Sequence, residues 1–152
     1  MSAEQHEYDV LIVEQHLDTF GHVNNATYLE LFEAARWDLI TARGYGLEQI
    51  RERKVGPTIL DIHIQFKREL RNRQKIRIRT WLEEQRTKIG IWVQQMWNED
   101  NVLCCEARFT VALFDLERRR LIAPTPEWRR VLGLEPASAV GDDTSPAAAP
   151  QD

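Results

Sequence analysis

The hydrophobic period of this chain changes once, and that change restricts its fold more than any other feature. From Ala26 the apolar residues follow a helix: Tyr28, Leu31, Phe32, Ala35 and Leu39 recur on one side, with Glu30 and Glu33 on another. From Thr58 the period falls to two. Leu60, Ile62, Ile64 and Phe66 alternate with Asp61, His63, Gln65 and Lys67, and Ile76, Ile78, Thr80 and Leu82 form a second row. Ile89, Ile91, Val93 and Trp97 form a third row, interrupted by Gln95; Leu103, Cys105, Ala107, Phe109, Val111 and Leu113 form a fourth. These rows predict four antiparallel strands with one side inward, joined by short turns such as Asn98-Glu99-Asp100-Asn101. The Val- and Ile-containing stretch from Tyr8 to Glu14 predicts a further strand at the start. An apolar sheet face needs a cover, and the helix expected over 26–43 is the one long helix available. The expectation is an α+β domain, a five-stranded antiparallel sheet wrapped around one long central helix.

At 152 residues the chain is long enough for one domain with its own core. That domain is expected over 1–136, with Pro126 to Leu132 as a short final helix and 137–152 as a disordered Ala/Pro/Ser/Asp tail. With 43% hydrophobic and 29% charged residues the composition is that of an ordinary soluble protein. No apolar run approaches the ~20 residues of a membrane span, and Met1 to Tyr8 lacks a signal-peptide core, so the cytoplasm is the expected compartment. Cys104 and Cys105 are adjacent, hence on opposite faces of a strand, and are expected to be free thiols. Nothing in their spacing suggests a metal site. Asn25-Ala26-Thr27 matches a glycosylation acceptor but carries no weight without a secretory signal. Between Lys67 and Arg79 seven basic residues are opposed only by Glu69. A solvated strand face accounts for such a block best and a phosphorylated small ligand next; no nucleic-acid motif accompanies it.

The chemistry concentrates in Asp18-Thr19-Phe20-Gly21-His22-Val23-Asn24-Asn25, just before the expected helix start. Asn24 or Asn25 can cap that helix, and Gly44 and Gly46 stop it. The first amides of a helix lack intrahelical partners and carry partial positive charge. A carboxylate or imidazole nearby can attack a carbonyl while those amides hold the oxyanion, which is the chemistry of ester or thioester cleavage. No Ser-His-Asp arrangement or metal-ligand spacing competes with a carboxylate mechanism.

Asp18, Gly21, His22, Val23, Asn24, Asn25 and Tyr28, followed by Glu33, Ala35 and Arg36, resemble the signature of the 4-hydroxybenzoyl-CoA thioesterase-like family of hotdog-fold acyl-CoA thioesterases. The resemblance spans Tyr8 to Leu132, with its specific part in 18–36. It implies an enzyme that hydrolyses an acyl-CoA or acyl-carrier-protein thioester, with CoA as part of the substrate and no separate cofactor or metal. It implies that Asp18 is the nucleophile or general base, that the backbone amide of Asn25 polarises the carbonyl, and that Gly21 lets the loop turn tightly. It also implies edge-to-edge pairing with composite sites at the subunit interface, as a homodimer or a homotetramer. His22 is open between touching substrate, tuning Asp18 and holding the loop against the helix. Glu33 is open between a direct role and pairing with Arg36, its neighbour by helical spacing. Tyr28 and Phe32 are candidates for an acyl pocket, and Arg68, Arg71, Arg86 and Lys88 for the CoA phosphates. His63 is expected at the surface, and Trp81, Trp92 and Trp97 in sheet or dimer packing. Two other functions stay open: an acyl-thioester hydratase or dehydratase using His22 and Glu33, and a non-catalytic acyl-CoA-binding hotdog protein.

Overall fold

The computed structural model describes residues 4–136, so the tail expected over 137–152 lies outside the described residues. The elements run β1 (His6–Leu11), α1 (Asn25–Ala42), α2 (Leu47–Arg53), β2 (Val55–Phe66), β3 (Lys75–Gln85), β4 (Ile89–Trp97), β5 (Leu103–Asp115), β6 (Arg120–Ile122) and α3 (Pro126–Val131). The class is α+β with an antiparallel sheet in the order β1-β3-β4-β5-β2. The sheet has six strands rather than five, because β6 continues along β5 through Leu113↔Ile122 to Asp115↔Arg120, just past Ala112 where β4 stops. Three residues are too few for an alternation to show in the sequence.

The helical pattern of α1 has a clear packing consequence. Tyr28, Leu31, Phe32, Ala35, Leu39 and Ile40 are buried along its 18 residues. Phe32 meets Phe109 of β5 edge-on at 5.8 Å. Strand positions facing α1 include Ile76, Ile78 and Thr80, then Trp92, Gln94 and Met96, then Cys105, Ala107 and Phe109. This corrects the third row. On β4 the helix-facing residues are Trp92, Gln94 and Met96, and Ile91, Val93, Gln95 and Trp97 lie on the opposite side. β4 is central and apolar on both faces; even Val93, opposite Trp81 and Arg108, is 1% exposed. Alternation therefore could not assign its sides.

A second correction concerns β2. The register passes from Ile59↔Val111 to Asp61↔Thr110, leaving Leu60 as an extra, half-exposed residue. Such a bulge flips the faces, so Ile59 shares its side with Ile62, Ile64 and Phe66. A similar shift at Glu83 interrupts the β3–β4 ladder. β2 also starts earlier than Thr58 and includes Pro57, which an edge strand tolerates because one row of its amides needs no partner. Both cysteines are buried, free and on β5; burial raises both thiols, that of Cys105 to about 12.

The basic block divides between ion-paired residues and others at the end of β2. Arg73 meets Glu14, Arg77 meets Asp9 and Glu7, and Arg79 approaches Glu7 and stacks on Trp97. His63 is exposed on the outer side of β2. No helix among the described residues is long and apolar enough to cross a membrane.

Candidate active site

The loop before α1 is closed by its own backbone. Asp18 N–H donates to the His22 carbonyl at 2.7 Å, Gly21 N–H to the Asp18 carbonyl at 3.0 Å, and Leu17 bridges Val23. Asp18 Oδ1 accepts from the amides of Phe20 and His22 at 2.9 and 3.1 Å. Gly21 takes φ +80°, with nothing within 4 Å of where a Cβ would stand, so backbone conformation alone requires glycine there. Phe20, at the tip, is 84% exposed.

Asn24 is the cap: its side-chain oxygen accepts from Ala26 N–H at 3.0 Å, in extended backbone geometry (φ −65°, ψ 144°). Asn25 is therefore the first helical residue, and its amide donates to no protein acceptor among the described residues. It lines a cleft of about 310 Å³ together with His22, Val23, Tyr28, Phe66, Lys67, Arg68 and Glu69. Tyr28 and Phe66 pack edge-on at 4.9 Å to form its apolar wall. The amides of Lys67 and Arg68 both donate to the Cys104 carbonyl, which fixes these two cations at the end of β2.

The expected site residues separate into those at this cleft and those elsewhere. His22, Asn25, Tyr28 and Arg68 line it. Asp18 and Gly21 sit in the adjoining loop, with the Asp18 carboxylate exposed and outside the cleft of its own chain. The His22 ring makes no hydrogen bond to Asp18; its Nε2 meets Glu69 Oε1 at 3.1 Å and ties the loop to the β2–β3 connection. Phe32 is fully buried behind the cleft. Arg71 is exposed farther along that connection. Arg86 and Lys88 lie in the β3–β4 turn, beyond the Gly90↔Val111 pairing, whereas Phe66 pairs with Cys105. Six residues of β5 put them ~20 Å away, and Arg86 is engaged by Glu84 at 2.9 Å.

Glu33 lies eight residues beyond Asn25, ~12 Å along the helix axis, and borders a different cavity. It does not pair with Arg36. Its carboxylate accepts from Trp37 Nε1 at 3.4 Å, and Arg36 turns inward to donate to Gln94 Oε1 at 2.8 Å. His22 and Glu33 are thus not assembled as an acid–base pair. Phe66, Lys67 and Glu69 join the cleft although none was a candidate site residue. Phe66 was visible as the last residue of an apolar row, and Lys67 and Glu69 as members of the basic block. No cluster of three or more metal-ligating side chains occurs among the described residues.

The geometry is that of a helix-start amide beside a carboxylate-bearing loop, with cations at the rim. Residues 13–132 match the family model described as the thioesterase-like superfamily. Over 118 residues the chain is 29% identical to the long-chain acyl-CoA thioesterase FadM of Escherichia coli strain K12, covering 77% of this chain and 89% of that protein. A crystal structure of YbaW, a probable thioesterase from Escherichia coli, superposes with a TM-score of 0.74 at 27% identity, covering 83% of this chain and 95% of that one. The fold is also that of SAV2348 from Staphylococcus aureus, characterised in complex with CoA (TM-score 0.80, 14% identity, 88% and 84% covered). Matched by the family model over residues 13–132, the chain belongs to the thioesterase-like superfamily of hotdog-fold thioester hydrolases.

Proposed function

We propose that the chain hydrolyses acyl-CoA thioesters to a carboxylic acid and CoA. The observation that carries this is the unpartnered amide of Asn25 at the start of α1, on the wall of a cleft rimmed by Lys67 and Arg68. The thioester oxygen takes that amide as negative charge develops, helped by the helix dipole. Asp18 either takes a proton from water as the water oxygen bonds to carbon, after which the C–S bond breaks and the thiolate collects that proton as CoA, or attacks the carbonyl itself. In the second case the C–S bond breaks to leave an acyl–Asp18 anhydride, and water then cleaves the anhydride to the carboxylic acid, returning Asp18 as carboxylate and supplying the proton that turns the thiolate into CoA. The wall of Tyr28 and Phe66 receives the start of the acyl chain, and Lys67 and Arg68 meet the CoA phosphates. The reaction uses no metal and no cofactor beyond the CoA carried by the substrate. A carrier-protein thioester presents the same carbonyl and is the alternative substrate.

The working unit in this reading is a cytoplasmic homodimer or homotetramer. β2 is an edge strand of twelve residues, and Leu60, Ile62 and Phe66 on it are 46%, 40% and 50% exposed. Pairing two such edges would cover them. It also gives Asp18, outside its own chain's cleft, a site completed by a second chain.

Release of thiol from short, long and aromatic acyl-CoAs tests the reading, with wild type and Asp18→Asn side by side. Hydrolysis by wild type and a loss of a hundredfold or more in a folded Asp18→Asn support it. Near-normal release in the variant removes Asp18 from the mechanism. Double-bond change without thiol release indicates a hydratase or dehydratase, and acyl-CoA binding without turnover indicates a non-catalytic protein.

A further inference from the structure

The loop that carries Asp18 is fixed to the rest of the chain at few points. Residues 18–22 are all exposed, and Val23 is the first buried side chain after them. Their hydrogen bonds stay inside the loop: Asp18 N–H to the His22 carbonyl, Gly21 N–H to the Asp18 carbonyl, and the Phe20 and His22 amides to Asp18 Oδ1. These bonds give the turn its shape but do not set where it stands against the rest of the molecule. Among the described residues a single polar contact leaves residues 18–22, from His22 Nε2 to Glu69 Oε1 at 3.1 Å.

Glu69 stands on a firm mount. Before it, the Lys67 and Arg68 amides donate to the Cys104 carbonyl at 2.8 and 3.0 Å. After it, Leu70 is 0% exposed and Arg73 N–H donates to the Ile12 carbonyl at 2.7 Å. A carboxylate only accepts, so Nε2 carries the hydrogen of the bond between His22 and Glu69. His22, held through its ring, holds Asp18 through its backbone: its N–H donates to Asp18 Oδ1 at 3.1 Å, and its carbonyl accepts from Asp18 N–H at 2.7 Å. Glu69, His22 and Asp18 thus form a continuous series from the β2–β3 connection to the loop carboxylate.

We propose that Glu69 is a positioning residue: its carboxylate anchors the His22 ring, and the His22 backbone in turn sets where the Asp18 carboxylate stands. This role rests on the thioesterase reading, in which Asp18 acts on the thioester carbonyl or on its attacking water. An exposed pair adds little to stability, whereas a reacting group displaced by ~1 Å loses about a hundredfold in rate. The effect of Glu69 therefore falls on turnover and not on folding. A role through its charge on the neighbouring Lys67 and Arg68 would instead fall on KM, through the CoA phosphates.

Thiol release from acyl-CoA, read as kcat and KM, is measured for Glu69→Ala, Glu69→Gln and His22→Ala together with amide exchange by NMR. The expected kcat of Glu69→Ala is about fivefold or more below wild type, with KM within about twofold and Tm unchanged. Glu69→Gln keeps an oxygen acceptor for Nε2 and retains most of kcat. Combining Glu69→Ala with His22→Ala loses no more than His22→Ala alone, and Glu69→Ala costs nothing further in an Asp18→Asn background, because the residues act in series. The Phe20 and His22 amides, bonded to Asp18 Oδ1 in wild type, exchange about threefold or more faster in Glu69→Ala. Exchange does not require turnover. Faster exchange beside a wild type that releases no thiol keeps the tether and overturns the thioesterase reading; unchanged exchange overturns the tether even where wild type is active. Wild-type kcat in Glu69→Ala, equal impairment of Glu69→Gln and Glu69→Ala, or a change confined to KM also overturns the proposal.

Discussion

Gln94→Leu is the substitution that tests most sharply how α1 is anchored to the sheet. Gln94 is 0% exposed and satisfies three groups at once. Its Oε1 accepts from Arg36 Nη1 at 2.8 Å, and its Nε2 donates to the Phe32 carbonyl at 3.0 Å and to Thr80 Oγ1 at 2.9 Å. Leucine fills similar space with no polar atom. Each neutral partner left behind costs ~1 kcal/mol and the guanidinium ~2 kcal/mol or more, because buried groups without partners keep their desolvation penalty. The added apolar burial returns ~1 kcal/mol. The net loss is then ~3 kcal/mol, and for a domain of this size Tm falls by ~6–12 °C. Urea unfolding followed by fluorescence, with the thermal transition followed by circular dichroism, measures both. Combining the change with Arg36→Met should cost ~2 kcal/mol less than the sum of the single changes, since the second removes the orphaned cation. A Gln94→Leu protein within ~0.5 kcal/mol of wild type, against the ~1 kcal/mol expected for even one lost partner, would refute the network as an anchor.

Three further outcomes follow from the geometry. Asn24→Ala removes the acceptor for Ala26 N–H and should destabilise the fold by ~1 kcal/mol, measurable by urea unfolding; no change would mean that water replaces the cap. The thiols of Cys104 and Cys105 are buried with raised pKa values, so an aromatic disulfide reagent should titrate almost none in the native protein and both after unfolding. Rapid native reaction would contradict the core placement. Arg73 and two further hydrogen bonds lower the Glu14 carboxyl to about 2, below its ordinary 4.5. Its contribution to stability is therefore fully present above the unfolded value and is lost as pH falls through about 2. Carboxyl NMR titration should show Glu14 as one of the last carboxylates to protonate, and an unshifted midpoint would dissolve the pair.

The sequence was most legible where periodicity and chemistry coincide. The row Tyr28, Leu31, Phe32, Ala35, Leu39 revealed α1 because one face is buried and its glycine stop is local. The loop motif showed its carboxylate, its turn glycine and its capped helix start because all three act within a few residues of each other. Information carried only by long-range pairing was hidden. The sides of β4 depended on neighbours in three dimensions, and the bulge at Leu60 inverted faces without any mark in the alternation. Spacing along the helix suggested that Arg36 pairs with Glu33. The partner was instead Gln94, 58 residues away, which looked like an interruption in a strand. His22 similarly met Glu69 across a connection whose path was not written in either residue.

The central claim is that the Asn25 amide, and not its side chain, polarises the thioester. Two substitutions separate these. Asn25→Ala deletes the side chain and keeps the N–H. Asn25→Pro deletes the N–H at the first helical position, where proline is well tolerated, and follows Asn24 in the extended conformation that proline requires before it. Thiol release from a long-chain acyl-CoA should be close to wild type in Asn25→Ala. In Asn25→Pro it should fall by ~10²–10³ with Tm preserved, the usual effect of losing one oxyanion donor. Comparable activity of the two variants, with both folded, would contradict the account.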